Sequence, residues 1–143
     1  MYICNDCPRK CNATRTDTEN FYGWCKAPNL PKLARAALHF GEEPFITGKN
    51  GSGAIFFSGC SLGCVFCQNF DISQNLKGKT VSICDLSKII QRLEGEGAEN
   101  INFVTPTHYF NAIEKALEIY RPNIPLIYNS SGYDLTENIA KDI

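Results

Sequence analysis

The spacing of hydrophobic positions changes along the chain, and each change marks an element. Leu86, Ile89, Ile90 and Leu93 recur at the i, i+3, i+4, i+7 interval of an amphipathic helix. Asp85 stands where an N-cap belongs and Gly95 and Gly97 follow the last apolar position, which predicts a helix over 85–95. Ahead of it, the Gly-rich stretch "HFGEEPFITGKNGSG" runs into "AIFFS", a short apolar strand over 54–58. "NINFVTP" reads as a buried strand over 101–105, stopped by Pro106. Phe110, Ile113, Leu117 and Tyr120 share one face of a second helix over 108–120, which ends before Pro122. "PLIYN" is a third strand over 125–129, and "DLTENIAKDI" opens a third helix over 135–143.

The order β-α-β-α-β-α with short connections predicts an α/β fold: a parallel sheet of βα units joined by right-handed crossovers. Three such units form an open sheet or half a barrel, and half a barrel leaves strand edges unpaired. "LARAALH", residues 33–39, is compatible with strand and helix alike. The first thirty residues are polar and aperiodic, as in a small module held by a metal rather than by a core. The expected organisation is a Cys-rich segment over 1–32 followed by a βα domain over 33–143.

Charge narrows the partners. The chain has 14 basic and 15 acidic residues among 143, and Lys and Arg form no cluster, so neither nucleic acid nor anionic membrane is an expected partner. The apolar runs are too short to span a membrane, and "MYICNDCPRKCNATR" has no apolar signal core, which predicts a cytoplasmic protein. Eight cysteines then need a reason, because that compartment keeps thiols reduced. Seven fall into two groups: Cys4, Cys7, Cys11 and Cys25, then Cys60, Cys64 and Cys67. Such spacings bring thiols onto one metal centre. Cys84 stands apart and reads as a small buried apolar residue.

The second group lies just past the carboxyl end of the 54–58 strand, where parallel α/β architectures place their chemistry. A [4Fe–4S] cluster is normally held by four cysteine thiolates, so three leave one iron open to a substrate or cofactor. Gly59, Ser61 and Gly63 are small enough for the loop to wrap closely round an inorganic core. The competing reading is zinc, with His108 or Cys84 as fourth ligand, although zinc sites more often present paired C-x2-C motifs.

Cys60-x3-Cys64-Val65-Phe66-Cys67, with an aromatic residue before its last cysteine, resembles the hallmark of the radical S-adenosylmethionine superfamily. "CPRKC", "HFGEEPFITG", "GSGAIFFSGCSLGCVFCQNFDISQ", "NFVTPTHYF" and "IPLIYNSSGYD" extend the likeness to the branch of pyruvate formate-lyase activating enzymes, over nearly the whole chain. The resemblance implies a partial (βα)6 barrel, of which this chain would be the first half. It also implies reductive cleavage of S-adenosylmethionine to a 5′-deoxyadenosyl radical that abstracts hydrogen. Cys60, Cys64 and Cys67 map onto the cluster ligands, and Phe66 onto the aromatic residue beside the adenine. Asn69, Thr105, Thr107, Asn129 and Ser131 map to the neighbourhood of the cofactor, with Ser130 beside them. The implied partners are a glycyl-radical-type protein substrate and a flavodoxin or ferredoxin electron donor.

Two departures stand out. Many members carry Gly-Gly-Glu after the second strand to hold the methionine amino group, and here Thr105-Pro106-Thr107-His108 occupies that place without a carboxylate. Members of the branch are also about twice as long, with six βα units. The chain therefore resembles an N-terminal half, a truncated frame or one piece of a split enzyme, with its own turnover expected to be poor.

Cys4-x2-Cys7-x3-Cys11-x13-Cys25 supplies the four thiolates of a closed structural centre, for which zinc is the simpler occupant. A second cluster is the rival, favoured by Pro8 directly after Cys7. With both groups structural, the protein would be a non-catalytic zinc-binding module. Weaker signals are His39 with Glu42 and Glu43 as an acid–base group, and Asp71, Ser73 and Gln74 near the cysteine loop. Gly48, Gly51 and Gly53 lack the Gly-Lys-Ser/Thr and following helix of a phosphate loop.

Overall fold

The computed structural model describes residues 2–140. The Cys-rich segment forms its own three-stranded antiparallel sheet from β1 (Tyr2–Cys4), β2 (Ala13–Arg15) and β3 (Asn20–Phe21). Strands of two or three residues are too short to show an alternation, so this sheet is invisible to periodicity.

The ambiguous stretch is a strand, β4 (Lys32–His39). A short helix α1 (Pro44–Thr47) leads from it to β5 (Ser52–Phe57), which pairs antiparallel to β4 from His39↔Ser52 to Leu33↔Phe57. After a loop come α2 (Phe70–Ser73) and β6 (Lys79–Thr80), then α3 (Ile83–Gly95) and β7 (Ile101–Val104). A 3-10 turn (Thr107–Tyr109) opens α4 (Phe110–Ile119), followed by β8 (Leu126–Asn129) and α5 (Thr136–Ile139). The second sheet has the order β6-β4-β5-β7-β8.

These sheets correct the expected fold class. The protein is a small mixed α/β fold of a three-stranded and a five-stranded sheet, not a parallel sheet of βα units opening a barrel. Among the described residues four of the six strand pairings are antiparallel, and only β5–β7 and β7–β8 are parallel. The expectation rested on the strand–helix alternation after residue 54. It missed β4, whose return across a short connection takes the free edge of β5 in the opposite direction.

Element ends also differ. Ser82 caps α3: its hydroxyl accepts from the Asp85 N–H at 3.0 Å and donates to the Asp85 carboxylate at 2.7 Å, so the helix starts ahead of Asp85. The second expected helix is split into a 3-10 turn and α4. Of the third, α5 covers only Thr136–Ile139, and residues 141–143 lie outside the described residues.

The core explains the position of the site. Leu33, Ile55, Phe57, Ile101 and Phe103 from the sheet form one cluster with Leu86, Ile90 and Leu93 of α3 and Ile113, Ala116 and Leu117 of α4. Each of the Leu, Ile and Phe side chains in it contributes about 1.5–3 kcal/mol by leaving water. The central strand is therefore held rigidly, and whatever leaves its carboxyl end starts from a fixed point. Among the described residues no helix is long and apolar enough to cross a membrane.

Candidate metal centre

Beyond Phe57, buried Ser58 and Gly59 lead into a loop closed at its neck, where the Gly59 N–H donates to the Ile72 carbonyl at 3.0 Å. Cys60, Cys64 and Cys67 all lie in this loop, half-buried and with free thiols. The Cys67 N–H donates to the Cys64 carbonyl at 3.2 Å, which turns the chain tightly between them. The Leu62 N–H points at the Cys60 sulfur at 3.4 Å, and the Ser73 hydroxyl at the Cys67 sulfur at 3.4 Å. These two contacts hold the Cys60 and Cys67 sulfurs in place within the loop.

The Cys-rich segment packs directly on this loop. Gly59 and Gly63 have φ of 88° and 71°, a region that costs glycine little. A Cβ at Gly59 would lie 2.8 Å from the Cys25 carbonyl, and one at Gly63 would lie 3.0 Å from Nε1 of Trp24. Arg9 adds a fork: Nε donates to the Ser61 carbonyl and Nη2 to the Leu62 carbonyl at 3.1 Å. The same guanidinium lies 3.9 Å over the Trp24 ring. Arg9 is presented by a tight turn in which the Lys10 N–H donates to the Cys7 carbonyl at 3.0 Å.

In the first cysteine group, Cys4, Cys7 and Cys25 are buried and Cys11 is exposed. Burial pushes the Cys4 thiol up to about 12 and raises those of Cys7 and Cys25. Charge on Cys25 disfavours charge on Cys4 and Cys7, and charge on Cys11 disfavours it on Cys7 and Cys25. Arg15 is buried among them. Its Nη2 donates to the Cys25 sulfur at 3.2 Å, its Nη1 donates to the His108 carbonyl at 2.9 Å, and Asp6 lies 3.5 Å away. Burial works against the Arg15 charge, but Cys25, Cys4 and Asp6 outweigh it and raise its pKa.

Both groups fit thiolate-bound metal by donor type, and Arg15 supplies a buried positive charge to offset thiolates in the first. Among the described residues no three His, Cys, Asp or Glu side chains are already gathered as a metal site. Ligation would draw the sulfurs together and release their protons.

The register Phe56↔Val104↔Asn129 aligns the carboxyl ends of β5, β7 and β8. Thr105 leaves β7 with φ of 58°, unusual for a β-branched residue, and its N–H donates to the Asn129 carbonyl at 2.9 Å. Thr107 is buried and its hydroxyl is already committed to Asp134 at 2.5 Å. The Tyr128 hydroxyl at 2.8 Å and the Ser130 hydroxyl at 2.6 Å converge on the same carboxylate. Asn129 is half-buried, whereas Ser131 and Asn69 are exposed, Asn69 making no side-chain cap bond to α2. Phe66 is 86% exposed and packs on no core.

Several weaker candidates resolve differently. His108 is fully buried, its Nε2 2.9 Å from the Ser58 carbonyl, and burial brings its pKa down to about 4. Cys84 is exposed rather than buried, because it sits in the first turn of α3 on the solvent side. Glu42 accepts from Asn102 at 3.2 Å and His39 stands edge-on to Phe56, so they form no acid–base group with Glu43. Asp71 pairs with Lys77 in solvent. The Gln74 carbonyl accepts from Lys26 at 3.5 Å.

Sequence reasoning missed Arg9, the Arg15–Asp6 pair and Asp134. "CPRKC" shows that Arg9 lies between two ligand candidates, and "NSSGYD" carries the carboxylate absent after β7. Neither string shows what those side chains reach.

No family model matches the chain, and no solved structure matches it. An uncharacterized protein of Methanocaldococcus jannaschii is 35% identical over 145 residues, an alignment covering 95% of this chain and 40% of that protein. The chain thus spans about two-fifths of the length of the curated relative it matches.

Proposed function

We propose that Cys60, Cys64 and Cys67 hold three irons of a [4Fe–4S] cluster, and that the protein acts on S-adenosylmethionine as radical enzymes resembling the glycyl-radical activases do. When bound, such a cluster supplies the electron that splits the sulfonium into methionine and a 5′-deoxyadenosyl radical. The observation that carries this reading is the set of three free, half-buried thiols in one neck-closed loop beyond the central strand. Two of these sulfurs are also fixed by polar contacts, from the Leu62 N–H and the Ser73 hydroxyl.

The remaining residues act by position. Thr105 and Asn129 stand at the aligned strand ends, where their polar groups can orient an amino acid moiety. Phe66, Asn69 and Ser131 are exposed near the same end and can close on a bound nucleoside. Thr107 acts indirectly, by fixing Asp134, the carboxylate at this edge. The Cys4, Cys7, Cys11 and Cys25 group is assigned a structural zinc. A cytoplasmic protein with a glycyl-radical-type protein substrate and a flavodoxin or ferredoxin donor completes the reading.

Anaerobic reconstitution with iron and sulfide tests it. The expected result is a brown chain with about four irons, whose reduced electron paramagnetic resonance signal shifts on adding S-adenosylmethionine. Cys67→Ala should lose the iron and keep the zinc. A colourless chain holding zinc in both groups would replace this reading with the non-catalytic zinc module. Iron well above four per chain without zinc would reassign the first group to a second cluster.

A further inference from the structure

We infer that the N-terminal cysteine module is a clamp on the Cys60–Cys67 loop and that Arg9 is its positioning residue. As a statement about a cluster loop, this rests on the reading just proposed. The contact itself stands on geometry alone.

Three independent points join the two segments. Arg9 donates through Nε and Nη2 to the consecutive carbonyls of Ser61 and Leu62, the residues that follow Cys60. Trp24 lies against Gly63, the residue before Cys64, and carries the Arg9 guanidinium on its ring face. The Cys25 carbonyl lies against Gly59, the residue before Cys60. Every one of these contacts falls next to a thiol proposed to hold iron, and every one comes from a residue next to or within the first cysteine group. Arg9 itself sits inside the Cys7–Cys11 interval, on the turn closed by the Lys10 N–H and Cys7 carbonyl.

The chemistry suits positioning. A planar guanidinium bonded to two successive carbonyls fixes the orientation of both peptide planes, which a lysine ammonium cannot do. Stacking on Trp24 fixes the guanidinium in turn. Metal at Cys7 and Cys11 would stiffen the turn that presents Arg9, so occupancy of the first group would tighten the second. The loop can then keep thiols half-exposed for exchange with a cofactor without losing their arrangement.

The test measures alkylation of each cysteine by mass spectrometry, in the purified, reduced chain with no iron added. In the native chain, Cys60 and Cys64 should react more slowly than exposed Cys84. Arg9→Ala should speed Cys60 and Cys64 about tenfold or more, as expected for losing charge-assisted bonds, with Cys4 and Cys25 remaining slow. Arg9→Lys should give an intermediate rate, since it keeps the charge and loses the fork. Native rates at Cys60 and Cys64 in either variant overturn the clamp. Rapid labelling of Cys4 and Cys25 in both variants also overturns it, because Arg9 would then hold up the module rather than the loop. Reconstituted Arg9→Ala should retain several-fold less iron in the second group than the native chain. A native chain that takes up no iron refutes the cluster reading while the labelling contrast still decides the clamp.

Discussion

Arg15 and Asp6 form an ion pair, 3.5 Å between Nη1 and Oδ2, in which the partners are only 2% and 8% exposed. The pair ties the small sheet to the 3-10 turn and α4. Arg15 donates onward to the His108 carbonyl, and Asp6 accepts from Asn111 at 2.8 Å and from the Tyr2 hydroxyl. Asp6→Asn keeps the shape but leaves a buried guanidinium without its counter-charge. We expect a loss of about 3–5 kcal/mol, measured by denaturant unfolding. A loss below about 1 kcal/mol would mean that the Asp6 charge is not what compensates Arg15.

His108 makes stability depend on pH. Its Nε2–H donates to the Ser58 carbonyl, and burial holds its folded pKa at about 4 against an ordinary 6.5. Between those values the unfolded chain binds the extra proton, so stability present above pH 6.5 is lost as pH falls toward 4. The full effect is at most about 3 kcal/mol. His108→Gln, which cannot titrate, should flatten the stability profile across that window. An unchanged slope would show that the native profile comes from carboxylates instead.

Asp134 gathers three hydroxyls, from Thr107, Tyr128 and Ser130. Burial and then the Asp134 hydrogen bond push the Tyr128 hydroxyl well above the usual phenol range. Asp134→Ala should cost about 1–3 kcal/mol, because the buried Thr107 hydroxyl loses its acceptor. It should also let Tyr128 ionise at lower pH in an ultraviolet titration. A phenol titration identical to the native one would remove Asp134 as organiser of this edge.

Thr105 holds φ of 58°, where a β-branched residue is strained. Thr105→Gly should relieve that strain and stabilise the fold by up to about 1 kcal/mol, net of the added entropy of the unfolded chain. Should the proposed cluster be reconstituted, the same change should weaken its response to S-adenosylmethionine. Stabilisation with an undiminished response would assign Thr105 to the turn alone.

Local rules were enough for much of the framework. Leu86, Ile90 and Leu93 repeat at helical intervals and face the core of α3, and the apolar runs ending at Phe57, Val104 and Asn129 are strands. The two runs of closely spaced cysteines are also visible in the sequence itself. Such signals survive in one dimension because helix and strand periods are properties of neighbouring residues.

Direction and reach were decided only in three dimensions. Lys32–His39 has no period to separate strand from helix, and its antiparallel seat beside β5 depends on which sheet edge was open. Arg9 meets the Ser61 carbonyl across 52 positions of sequence, and Arg15 meets the His108 carbonyl across 93. Backbone carbonyls carry no mark in a sequence, so no motif announces these bonds. The sequence by itself determined where the thiols fall along the chain. Only the tertiary structure decided that one cysteine group grips the loop of the other, because a charged fork finds its carbonyls only after both sheets have packed.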